Sequence, residues 1–394
     1  MSKIRLSAVL ALVLVLSLVL SGCKPTTTGG DFKFGVVLVG PYNDHGYSQA
    51  HYEAGKYAES KIPGATMIYF DKLNSADRKG TTLEQVVADM VAQGAKMIFT
   101  TSDDFQADTD VVAAKYPDIK FVMISGDHAK TGVAPKNVAN YMGRMEFMKA
   151  VAGCAAALKT QSKTVAYVGP LINNETRRLA SSAFLGCQEC TKLYRGGSAT
   201  DIKFIVNWIG FWFNIPGVTL DPTTVTNDLI NQGADVVLSG IDTTEAIVVA
   251  GQRADKGEKI WAIPYDYVGA CDLKPEICLG TPYFNWGPGY VKYIQAVQKG
   301  TFSQTFEWAS PNWSNINDVD TSAVGYAMGK GLSAADQKSL EDFIAKLASG
   351  EIKLFSGPLN LQDGTEYVKA GQVATDDQVW ALPQLLQGMQ GASK

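Results

Sequence analysis

The sequence predicts an α/β protein of two similar lobes, each a parallel sheet flanked by helices, with a ligand cleft between the lobes. Three observations lead there. The chain has 394 residues, a length at which one hydrophobic core has usually stopped growing and two packed units are expected. Apolar, strand-like runs alternate with amphipathic helical ones, the pattern of parallel sheets covered on both faces. The chain also matches itself at a fixed shift: Gln93-Gly94-Ala95 recurs 139 positions later as Gln232-Gly233-Ala234, and the same shift lays Lys120–Ile124 on Lys259–Ile263. One shift that serves two separate strands argues for two copies of a β-α-β-α-β unit.

The elements follow in chain order. Lys3 and Arg5 precede an apolar run from Leu6 to Leu20, too short for an ordinary membrane span and typical of a signal peptide over residues 1–22. The run ends in Leu20-Ser21-Gly22-Cys23, which resembles the lipobox of bacterial lipoproteins and makes Cys23 the expected site of acylation. Residues 23–31, Pro/Thr/Gly-rich, then read as the lipidated cysteine and a flexible tether. A first strand, Phe34–Val39, is closed by Gly40-Pro41, and its counterpart, Thr164–Val168, by Gly169-Pro170. Leu83, Val86, Val87, Met90 and Val91 keep helical spacing behind a capping box read as Thr81-x-x-Glu84. The strands Lys96–Thr100 and Asp235–Ser239 follow the two Gln-Gly-Ala turns. The expected lobes are residues 32–143 plus 280–345, and 144–279 plus 346–394.

Composition excludes several functions. With 35 basic against 39 acidic residues and no basic block, the chain lacks the electrostatic footprint of a nucleic-acid binder. Three histidines, His45, His51 and His128, leave little room for metal or acid-base chemistry. No Gly-x-Gly-x-x-Gly opens a helix, Gly325–Gly331 has the wrong spacing for a P-loop, and no Gly-x-Ser-x-Gly is present. No cofactor, metal or catalytic residue is therefore expected. Five cysteines follow Cys23, an odd number in a compartment that permits disulfides. Cys187 and Cys190 form a CxxC near a helix end, where a structural role is favoured over a redox one; Cys271 and Cys278 suit a loop staple, and Cys154 reads as a small core residue.

In open α/β sheets ligands bind beyond the carboxyl ends of the strands. Those ends carry Asn43, Asp44 and Tyr47, then Asp103 and Phe105, then Asp127 in the first copy; in the second they carry Trp208 and Trp212, then Asp242, then Asp266. The shift pairs Asp103 with Asp242 and Asp127 with Asp266. A single Asp after a strand equally well caps a helix or starts a turn. The aromatic residues gathered at the same ends tip the balance, since rings stack on a flat heterocycle while carboxylates accept its N–H groups. Trp208–Phe213 holds five large apolar residues around one Gly. Core packing accounts for some of these rings, and a ligand platform for at least one.

These motifs together resemble the basic membrane protein family: Asn43-Asp44-His45-Gly46-Tyr47-Ser48-Gln49, Tyr141-Met142-Gly143-Arg144, Asn231–Val236 and Asn285-Trp286-Gly287-Pro288. The resemblance implies a type I periplasmic-binding-protein fold and a monomeric, lipid-anchored receptor on the outer side of the cell membrane, which hands a purine base or nucleoside to an ABC permease. It implies a base-stacking role for Tyr47 and acidic positions at Asp103 or Asp104, Asp242 and Asp266. The family's ribose-side lysine is replaced near Phe284-Asn285-Trp286, which directs the expectation to free adenine and adds Asn285 and Trp286 to the site. Nucleoside or riboflavin binding, a sugar receptor and an exported nucleoside hydrolase stand as alternatives.

Overall fold

The computed structural model describes residues 31–394; the signal peptide, Cys23 and nearly all of the tether lie outside the described residues. The first lobe's sheet is built from β1 (Phe32–Val37), β2 (Ala65–Phe70), β3 (Ala95–Thr100), β4 (Lys120–Ile124), β5 (Val138–Gly143) and β11 (Phe306–Ala309), in the order β11-β5-β4-β3-β1-β2. The second combines β6 (Thr164–Gly169), β7 (Lys203–Trp208), β8 (Val236–Ser239), β9 (Trp261–Ile263) and the short β15 (Met389–Gln390), in the order β15-β7-β6-β8-β9. Every pairing within these two sheets is parallel. All six residues of β5 and of β6 are buried, as strands covered on both faces must be, and their sequences are accordingly nearly continuous apolar runs. The two copies of the repeat thus become the two sheets. A separate antiparallel ribbon pairs β10 (Gly280–Phe284) with β12 (Val324–Met328), and a short one pairs β13 (Leu359–Asn360) with β14 (Glu366–Val368).

Small residues set how the chain passes between the sheets. The helix Met145–Lys159 lies against the helix Asn174–Tyr194. A side chain on Gly153 would fall 1.9 Å from the Ala183 carbonyl oxygen, and one on Gly186 2.0 Å from that of Ala150. The two backbones are therefore in contact, which fixes one helix on the other. A Cys154–Cys190 disulfide joins them, while Cys187 stays free and buried between. This corrects the expectation for Cys154: it is bonded to Cys190, while the other cysteine of the CxxC, Cys187, meets the same helix by donating its thiol to the Gly153 carbonyl at 3.0 Å. Cys271 and Cys278 are bonded to each other.

Local boundaries shift slightly from the sequence reading. The capping box is Thr82 with Gln85 rather than Thr81 with Glu84, because Thr82 holds extended backbone immediately before the first helical turn. Residues 361–394 lie against the second lobe: β15 pairs with β7, and Arg177 donates to the carbonyls of Leu382 (2.9 Å) and Ser393 (3.1 Å). Among the described residues no helix is long and apolar enough to cross a membrane.

Candidate ligand cavity between the lobes

The carboxyl ends of the two sheets face each other. Asp44 accepts from the backbone N–H groups of Gly46 (2.9 Å), Ser48 (3.0 Å) and Gln49 (2.9 Å), so it organises the start of the helix Tyr47–Lys61. Burial nevertheless pushes its carboxyl up to about 6. That helix start touches the second lobe, with Tyr47 donating its backbone N–H to the carbonyl of Asp242 at 3.3 Å. A side chain at Gly46 would sit 1.7 Å from the same oxygen. Only glycine lets the lobes meet there.

Behind this contact is a narrow cavity with walls of Tyr47, Tyr167, Trp212 and Tyr265 and the carboxyl groups of Asp103, Glu175, Asp242 and Asp266. Asp266 is fully buried, has a backbone φ of 71°, and neither of its carboxyl oxygens has a hydrogen-bond partner. Buried polar groups are normally satisfied, and leaving one unpaired costs ~1 to 3 kcal/mol. Asp242 is 5% exposed. Burial first, then the charge of Asp266, raises its carboxyl well above the ordinary range. Asp266 is raised likewise by burial, against the pull of Lys149. Lys149 is itself buried, donates to the Ser239 carbonyl at 2.7 Å and lies 3.1 Å from the centre of the Tyr265 ring. Asp103 rises to about 7 through burial and the charges of Glu175 and Asp104, although Asn173 donates to it at 3.0 Å. Ser125 donates to Glu175 at 2.6 Å. The cavity thus gathers four carboxyl groups between flat aromatic walls, with the tyrosine hydroxyls and the unpartnered Trp212 indole N–H as donors.

Of the residues singled out in the sequence, Tyr47, Asp103, Trp212, Asp242 and Asp266 are brought together on this cavity, and Asp44 stands just behind it. Five others lie elsewhere. Asn43 is exposed beyond the helix start. Phe105 is part of the first lobe's core. Trp208 lies over Gly169 and donates its indole N–H to the Ala392 carbonyl at 2.7 Å, so the C-terminal segment occupies it. Asn285 spends its amide on the carbonyls of Val319 (3.1 Å) and Ser322 (2.7 Å). Trp286 is stacked between His51 (4.5 Å) and Phe284 (4.3 Å), 1% exposed, as a core ring.

Sequence reasoning missed Ser125, Glu175, Tyr167 and Lys149. Lys149 did leave a signal, as a lone lysine in the otherwise apolar run Met148–Leu158. Glu175 and Ser125 read as an ordinary first-turn acid and a turn serine, and nothing local separates them from those roles. Among the described residues there is no cluster of three or more metal-ligating side chains.

A second, more open chamber adjoins the first and shares Asp103, Ser125 and Glu175 with it. Its remaining walls include Gln106, Asp127, Asn173, Asn174, Arg178 and Trp380.

Comparison with known proteins bears on this arrangement. The family model Bmp, described as ABC transporter substrate-binding protein PnrA-like, matches residues 32–354. A purine-binding protein of Brucella abortus is 30% identical over 345 residues, 87% of this chain and 89% of its own. A protein of Haloferax volcanii named as a candidate ABC transporter glucose-binding protein is 24% identical over 295 residues, covering 73% of this chain and 68% of that one. Among solved structures, an ABC transporter solute-binding protein from Aeropyrum pernix superposes with a TM-score of 0.65 at 17% identity, over 82% of this chain and 92% of that chain.

Proposed function

The chain belongs to the Bmp family of PnrA-like ABC transporter substrate-binding proteins, and from that premise we propose that it captures free adenine in the inner cavity and presents it to an ABC permease. It is a binding protein of the type I periplasmic-binding-protein fold, working outside the cytoplasm. The observation that carries the ligand reading is Asp266: a buried carboxyl with both oxygens unpartnered, in a cavity walled by aromatic rings. Such a group calls for N–H donors, and the rings call for a flat partner. Free adenine offers N–H groups at both ends of its ring system, an amino group at one and an imidazole N–H at the other. Carboxyl groups stand on both sides of the cavity to receive them, Asp103 from the first lobe and Asp242 and Asp266 from the second. The Brucella relative's name, a purine-binding protein, supports the same class.

A nucleoside is the second reading, favoured by the adjoining chamber, whose amides and Arg178 would suit a sugar. Lipid attachment at Cys23 completes the proposal, supported by the lipobox-like Leu20-Ser21-Gly22-Cys23, and stable anchoring calls for more than one acyl chain. A mass spectrum of ligand released from purified protein tests the assignment. Adenine is expected; adenosine would move the reading to the second alternative, and hexose or riboflavin would overturn it.

A further inference from the structure

The family match ends at residue 354, yet the segment beyond it reaches back across the cleft. Its short helix, Asp376–Trp380, is held to the second lobe through Arg178, which donates to the Trp380 carbonyl at 3.4 Å and lies over the Trp380 ring at 4.3 Å. The same five residues make two polar contacts with the first lobe, through Lys130 and Asp127, and a third with Arg144 at the crossover between the lobes. Lys130 pairs with Asp377, and Arg144, directly after β5, pairs with Asp376. The Trp380 indole donates to Asp127 at 3.1 Å. The Trp380 ring also packs edge-on against Phe306 (4.8 Å) and Trp308 (5.1 Å) of the first sheet. It stands at the same time in the wall of the outer chamber.

We propose that residues 376–380 form a latch that bridges the two lobes over the outer chamber and sets how long a bound ligand is retained. The contacts across the cleft are made only while the lobes are together, so they stabilise the closed state and must break before ligand leaves. Both carboxylates are largely exposed, 68% for Asp376 and 80% for Asp377. Each pair is therefore modest and salt-sensitive, which suits a device that has to open in every transport cycle. The role in retention rests on the cleft being the ligand site.

The test uses the mature protein and adenine as probe, with dissociation followed by stopped-flow fluorescence. D376N/D377N removes the carboxylates from the latch; K130Q/R144Q removes their partners and leaves the helix itself unaltered. Each double variant is expected to speed dissociation about three- to tenfold, from two exposed pairs acting together, with association changed less than twofold. E351Q, which breaks the Lys346–Glu351 pair far from the latch, should change neither rate. Raising salt to 0.5 M should bring the parent toward the variants and leave the variants nearly unmoved. A ligand-free readout separates this idea from the choice of purine: hydrogen exchange over residues 127–131 and 376–380 should quicken in both variants. If the parent fails to retain adenine but exchange quickens, the ligand is misassigned and the latch stands. If exchange and dissociation both match the parent, there is no latch.

Discussion

The lobes are held together by two segments of opposite material. On one side of the cleft the loop after β7 sends Phe213 and Ile215, 8% and 6% exposed, into the first lobe's core cluster beside Val37, Leu73 and Phe105. On the other, residues 376–380 reach the first lobe mostly through exposed ion pairs and one indole hydrogen bond. Apolar burial is worth ~25 cal/mol per Å² and is indifferent to salt, whereas an exposed pair contributes ~0 to 1 kcal/mol and is screened. One contact is built to hold and the other to be adjusted. The first segment, through Trp212, borders the inner cavity and the second, through Trp380, the adjoining outer chamber, so each ties lobe closure to the cleft.

The comparison breaks most visibly at the apolar side. Phe213→Ala should weaken adenine binding by about 3 kcal/mol, the low end for truncating a buried Phe, while 0.5 M salt leaves that deficit unchanged. Calorimetric titration at two salt concentrations checks both halves, and a deficit that shrinks with salt would merge the two segments into one kind of contact. Next in size is Trp212, which leads into that loop and lines the cavity. Trp212→Ala should cost ~1 to 3 kcal/mol of affinity, and Trp212→Phe much less because a flat face remains. Equal losses from both would mean that the ring only packs.

The pH dependence sharpens the account from the inner cavity. Asp103 on that cavity, and Glu146 away from it in the buried first turn of the helix Met145–Lys159, are both raised to about 7, chiefly by burial. A carboxyl raised on folding binds its proton more tightly in the native state than in the unfolded one. Its contribution to stability is therefore greatest below the unfolded value near 4 and is lost as pH rises toward 7. The ligand-free melting temperature should fall between pH 5 and pH 7.5, and Asp103→Asn should flatten that slope. Adenine needs Asp103 ionised in order to donate to it, so affinity should move the other way, rising up to about tenfold per pH unit below 7. Parallel trends in melting and binding would contradict the assignment of Asp103.

Much of the fold was legible because duplication is written in the residues. The 139-position shift found both sheets, and the strand-end rule then found Asp103, Asp242 and Asp266. The shift also shows where symmetry fails. Asp127, the sequence counterpart of Asp266, accepts from Trp380 in the outer chamber, while Asp266 stays unpartnered in the inner one. The segment beyond residue 354 has no counterpart in the repeat, so the sequence held no pattern announcing that it would cover Trp208 or meet Asp127. Trp208 and Trp212 are four residues apart in one apolar run, yet only Trp212 lines the cavity. Which way each ring turns depends on Gly210, at φ 105°, and on the distant Ala392 that accepts from Trp208. Trp286 was misplaced for a related reason, since its partner His51 lies far away in the chain and the stack between them exists only in the fold.

The central claim is that buried carboxyl groups of the second lobe read the N–H groups of a purine. Asp266→Asn tests it most directly. Asn tolerates the left-handed backbone that Asp266 adopts at φ 71°, keeps the side chain's shape, and replaces one acceptor with a donor. Adenine titrated calorimetrically into the parent and into this variant, with folding checked by melting, should bind the variant about 5- to 100-fold more weakly, the range for leaving a buried hydrogen-bonding group unpaired. A variant that folds and binds adenine as tightly as the parent would place the purine, or its recognition, somewhere other than this cavity.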